Sequence, residues 1–179
     1  MADDTAIELT LRPRVPMPYV QALGSLAALA VCECVDGAQI LWPATVLLDG
    51  AALARVSLRA GYDGSIFARV EVVFSDARAD LAAIEDAILA RVDAWEQAVA
   101  AGRSAAGPFA PFASDYFDRM AGLGETVELL FPNGRVYCAA ELEGIDVWGR
   151  ICVETADGRD TEYAPEQVTL RLLPSALLD

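Results

Sequence analysis

Apolar and polar positions alternate over residues 6–12 and the run stops at Pro13, the pattern of a short strand with one buried face. From about Pro18 to Val35, Tyr19, Leu23, Leu26, Ala27, Ala30 and Val31 recur at helical spacing, which predicts a largely buried helix. Asp36-Gly37 reads as a turn, and β-type runs follow at 39–42, 46–48 and 53–59. Asp49-Gly50 between the last two is a hairpin signal, because both residues tolerate the positive φ of a tight turn. After a turn at Gly61-Tyr62-Asp63-Gly64, Phe67, Val70, Val72, Val73 and Phe74 predict a strand. Leu81, Ile84, Ala87, Ile88, Arg91, Val92 and Trp95 then recur at three and four residues, a helix from about Asp76 to Ala100 with Asp80, Glu85 and Asp86 toward its N-terminal end.

Residues 102–111 hold Gly, Ser, Ala and Pro and predict a flexible connector, after which 112–120 predicts a short helix packed through Phe112, Tyr116 and Phe117. From Gly124 the pattern changes to short strands at 126–131, 136–145, 151–154, 161–163 and 168–172, divided by turns such as Pro132-Asn133-Gly134 and Asp157-Gly158. Short strands at that spacing suggest a small barrel. The expected class is α+β: a largely antiparallel sheet packed with helices over residues 1–122, then a small β-barrel over 123–179.

Composition narrows the chemistry. The 13 basic residues are all Arg, and no Lys or His occurs in the 179 residues. Without His there is no Ser-His-Asp or Cys-His nucleophile system and no imidazole base; without Lys there is no phosphate-loop lysine and no Schiff base. The 27 acidic residues give a net charge of −14, which argues against nucleic acid as a partner. No run of about 18 apolar residues is evident, so no membrane span is expected. Asp3 and Asp4 stand where a signal peptide would be basic, and a cytoplasmic location follows, with Cys32, Cys34, Cys138 and Cys152 as reduced thiols.

The order of a helix, an apolar-Trp-Pro strand end, an Asp-Gly hairpin, a strand, two helices and a small barrel resembles the biotin protein ligases. Their strand end reads Lys-Trp-Pro-Asn-Asp, where this chain has Leu41-Trp42-Pro43-Ala44-Thr45. Their hairpin continues with Lys-Leu-x-Gly, whose lysine contacts the biotinyl-adenylate; here Ala52-Leu53-Ala54-Arg55 stands in that place. Val127-Glu128-Leu129, Gly134-Arg135, Gly144-Ile145-Asp146, Gly149-Arg150-Ile151 and Val168-Thr169-Leu170-Arg171 resemble the ligases' C-terminal SH3-like module. Leu11-Arg12-Pro13 and the helix after it resemble the segment upstream of the tryptophan-proline motif.

The resemblance implies a biotin/lipoate ligase-like domain, truncated at its N-terminal side, and an SH3-like barrel. It also implies a relic ligand pocket at Trp42, Pro43 and Arg171, with biotin and ATP as cofactors if ligase chemistry survives. The family's glycine- and arginine-rich loop, which folds over biotin and the adenylate, belongs before the Arg-Pro strand, where this chain has about ten residues. With that loop and every Lys missing, the expectation is a protein without ligase catalysis that acts as an interaction or regulatory subunit. The alternative is one half of a split biotin/lipoate ligase whose partner supplies loop and lysine. An uncovered sheet edge invites a homodimer or another chain, such as a ligase or a biotin carrier domain.

Structural roles compete at each candidate. A Trp at a strand end is usually core with its indole N–H satisfied. Cys32 and Cys34, two apart on a helix, point to different sides and make a poor metal pair, so no metal site is expected. Glu33, Asp49 and Glu71 read as solvated acids rather than an acid/base pair, and Arg171 as a structural salt bridge. Arg12-Pro13-Arg14 makes at most a weak anion site.

Overall fold

The computed structural model describes residues 5–75 and 79–173. Among the described residues, two five-stranded antiparallel sheets and three α-helices make an α+β fold. The first sheet has the order β1-β5-β4-β3-β2, from β1 (Thr5–Leu11), β2 (Gln39–Leu41), β3 (Thr45–Leu48), β4 (Ala51–Tyr62) and β5 (Ile66–Phe74). Asp49 and Gly50 have φ of 51° and 77°, so the expected hairpin turn joins β3 to β4. Strand β5 alternates as its sequence predicts: Ala68, Val70, Val72 and Phe74 are buried, whereas Arg69 and Glu71 face outward.

The buried face packs against α1 (Ala22–Cys34), which in turn packs against α2 (Leu81–Ala100). Helix α1 is apolar nearly all round and its residues from Ala22 through Cys32 are buried, as a helix with no polar stripe must be. With the single turn ahead of it, Met17–Cys34 is an 18-residue stretch long and apolar enough to cross a membrane, which corrects the expectation that no such run exists. Two thirds of it (67%) is buried inside the protein, because it is the central helix of the core. Helix α2 starts at Leu81 rather than near Asp76, with the Asp80 carboxylate accepting from the Ala83 N–H at 3.1 Å. Residues 76–78, where the sequence placed its first turn, lie outside the described residues.

The stretch 102–111 is not the flexible connector its composition suggests. Ser104, Gly107, Pro108 and Phe109 are buried. The Tyr19 hydroxyl donates to the Ser104 carbonyl (2.9 Å), the Trp95 indole to Pro108 (2.9 Å), and the Phe109 N–H to Val147 (3.0 Å). Small residues lead here to close packing, since a Cβ on Gly107 would collide with the Val147 carbonyl. A short helix α3 (Ala113–Phe117) follows, with Phe112 and Tyr116 in the core.

The second sheet has the order β10-β6-β7-β8-β9, from β6 (Thr126–Leu130), β7 (Val136–Ile145), β8 (Ile151–Thr155), β9 (Asp160–Tyr163) and β10 (Thr169–Leu172). Val127, Leu129, Leu142, Ile151, Val153 and Leu170 continue the same hydrophobic core.

Candidate functional site

Trp42 and Pro43 follow β2 directly. The Trp42 side chain is 3% exposed, and its indole N–H donates to the Gly149 carbonyl at 2.9 Å across to the second sheet's β7–β8 turn. The Pro43 carbonyl accepts twice, from the Ser25 hydroxyl of α1 (3.1 Å) and the Tyr116 hydroxyl of α3 (2.9 Å). These donors and acceptors are thus committed to holding four elements together. Arg171 lies on β10, directly across from Glu128 of β6, and its Nε donates to that carboxylate at 2.7 Å. Trp42 and Pro43 come together, while Arg171 has a different partner; none of the three lines either the groove beside α2 or the hollow on the first sheet. Ala52 is half-buried on β4 and Arg55 exposed.

The other singled-out groups also separate. Cys32 is buried and Cys34 exposed, as two positions apart on a helix require. Burial pushes the Cys32 and Cys152 thiols up to about 11, and pushes the Tyr116 hydroxyl up as well, so these groups stay protonated at neutral pH. Glu33 pairs with Arg91 of α2 (2.5 Å), Asp49 sits in the hairpin turn, and Glu71 accepts from the Ser57 hydroxyl (3.0 Å). Arg12 makes a bidentate pair with Asp63 (2.8 and 3.0 Å) and also donates to Ser65 (2.6 Å), closing the end of β1 onto the β4–β5 turn. The Arg12 guanidinium holds the Asp63 carboxyl below its usual range.

Two of the concave surfaces were not anticipated from the sequence and bear on the site. A groove of about 480 Å³ runs between α1, α2 and the 103–115 segment, floored by Leu26, Trp95 and Phe112. At its side Arg91 bridges Glu33 and Asp115 (3.0 Å). A second hollow, about 340 Å³, lies on the outward face of the first sheet between Glu8, Thr10, Ser57, Arg59, Arg69 and Glu71. Its signal was present in the sequence: the alternation that buries Val70 and Val72 necessarily turns Arg69 and Glu71 outward together. On the second sheet the exposed Glu143, Glu154 and Asp160 offer oxygens within 4.8 Å of one another. Desolvation, followed by the charges of Asp160, Glu154 and Glu141, raises the Glu143 carboxyl.

No protein-family model and no curated protein matches the chain in sequence. Solved structures do match in fold. The biotin protein ligase from Aquifex aeolicus superposes with a TM-score of 0.68 at 16% identity, over 94% of this chain and 82% of that one. A biotin protein ligase-like protein of unknown function from a Silicibacter species gives 0.65 at 13% identity, over 91% and 80%. The biotin acetyl coenzyme A carboxylase synthetase from Helicobacter pylori, solved with biotinylated ATP, gives 0.51 at 18% identity, over 88% and 73%. At these identities the likeness is one of fold.

Proposed function

We propose that this biotin-protein-ligase-like fold serves as an interaction or regulatory subunit without ligase catalysis. The observation that carries the reading is that the lysine position of the resemblance holds Ala52 and no Lys occurs in the chain, while the motif's surviving Trp42 is buried with its indole N–H committed to Gly149. The groups that would grip an adenylate are replaced by, or spent on, packing. Residues 1–122 then correspond to the ligase-like domain, and 123–179, with their five-stranded sheet, to the SH3-like module. A cytoplasmic location belongs to the same proposal. So does a partner at the sheet edge, a second copy or another chain such as a ligase or biotin carrier domain: β1 is an edge strand whose Ala6, Glu8 and Thr10 are exposed.

The second reading is one half of a split biotin/lipoate ligase. It draws support from the fold likeness to an Aquifex aeolicus ligase solved in complex with biotin and ATP (TM-score 0.65, 16% identity). Calorimetric titration with biotin, ATP and a nonhydrolysable biotinyl-adenylate mimic, alone and with a biotin carrier domain, separates the two. The non-catalytic reading expects no heat from the small ligands. Binding of the mimic that is lost in Trp42 or Arg171 variants would overturn it in favour of the split enzyme.

A further inference from the structure

The helices cover one face of the first sheet and leave the other open. On that open face Thr10, Arg69 and Arg59 lie side by side across β1, β5 and β4, and in the next row lie Glu8, Glu71 and Ser57. Each row therefore sets like charges directly opposite one another, Arg59 against Arg69 and Glu8 against Glu71, an arrangement unfavourable in an isolated sheet. Among the described residues, none of these four charged side chains closes an ion pair. The rows are flanked by apolar positions: Phe67 beyond Arg69 and Val73 beyond Glu71, both half-buried. The Phe67 ring lies over Gly61, where a Cβ would meet it at 2.7 Å.

The outward positions of β5 therefore read Phe67, Arg69, Glu71, Val73: apolar, cation, anion, apolar. This order is self-complementary. A two-fold axis in the plane of contact, crossing the strands midway between the rows, sets Arg69 of each copy against Glu71 of the other and Phe67 against Val73. It also sets Thr10 against Glu8 and Arg59 against Ser57, so that each unfavourable row meets its opposite. We infer that the open face of the first sheet is a homodimer interface, two copies packing sheet on sheet. Overall charge points to the same place. Two chains of −14 repel each other over most of their surfaces, yet this face carries Arg55, Arg59 and Arg69 against only Glu8 and Glu71.

The inference rests on the reading of the chain as an interaction protein, and it assigns the second copy to the sheet's face, which leaves the β1 edge for another chain. Its test is the oligomeric state of the full chain by sedimentation velocity over a concentration series, with Arg69→Glu and Glu71→Arg. Both side chains are exposed, and circular dichroism checks that the variants fold. The expected result is a dimer for the parent chain and at least about tenfold weaker association for each variant alone, since like charges then meet twice across the axis. Mixing the two variants in equal amounts, or combining both substitutions in one chain, restores the opposite-charge contacts and the dimer. A parent chain that stays monomeric overturns the inference. So does a dimer indifferent to both substitutions, which would place the contact at the β1 edge or elsewhere. Ligand titration tests the non-catalytic reading separately, so the failure of either is recognisable.

Discussion

Cys32 shows how a residue's place decides its chemistry. The same thiol two positions further on, Cys34, is exposed, whereas Cys32 is buried in the core and pushed up to about 11. In the unfolded chain the thiol titrates near its ordinary value of 9.0, so the folded state holds the proton to higher pH. The stability it contributes is intact below pH 9.0 and is lost as pH rises toward about 11. Urea-unfolding curves are expected to lose on the order of 2 kcal/mol across that window from this thiol, and Cys32→Ala to flatten that part of the slope. Thiol labelling of the native protein at neutral pH reaches Cys34 before Cys32.

Among the elements, α2 shows what local sequence does and does not specify. Its periodic apolar positions Ile84, Ile88, Val92 and Trp95 are the buried ones, but its start is set by one side chain, Asp80, which accepts from the Ala83 N–H and satisfies an otherwise unpaired donor. Asp80→Ala is expected to cost about 1 kcal/mol in urea unfolding, and Asp80→Asn or Asp80→Ser to recover most of it. The hairpin turn at Asp49-Gly50, the alternation of β5 and the packing of Phe112 and Tyr116 were legible for the same reason: each follows from periodicity or from the φ of one or two residues. The 102–111 stretch was misread because its Gly, Ser and Pro composition is that of a loop in either case. Whether such a loop is free or docked depends on the carbonyls of Ser104 and Pro108 meeting Tyr19 and Trp95, far from it in sequence or on another element.

Across the whole molecule the two sheets are joined through Trp42. Replacing it with Phe keeps an aromatic ring in the core but removes part of its bulk and leaves the Gly149 carbonyl without its donor. Trp42→Phe is therefore expected to cost about 1–3 kcal/mol in chemical denaturation while leaving the far-ultraviolet spectrum unchanged. A much smaller loss would mean that the indole hydrogen bond does little to hold the sheets together. The α+β class, nearly every described strand and helix, and the absence of His and Lys chemistry were legible in the sequence, because these depend on local periodicity and on residue types alone. For Trp42 and Arg171 it held open both a relic ligand pocket and a structural role; the burial of one and the pairing of the other with Glu128 come from the fold. It took the assembled fold to bring two hydroxyls to the Pro43 carbonyl, to dock the 102–111 stretch, and to stand Arg69 and Arg59 in one row with Glu71 and Glu8 in the next. Those facts depend on which strands become neighbours and in what register. Both are set by burying the core as a whole, and no local pattern contains them.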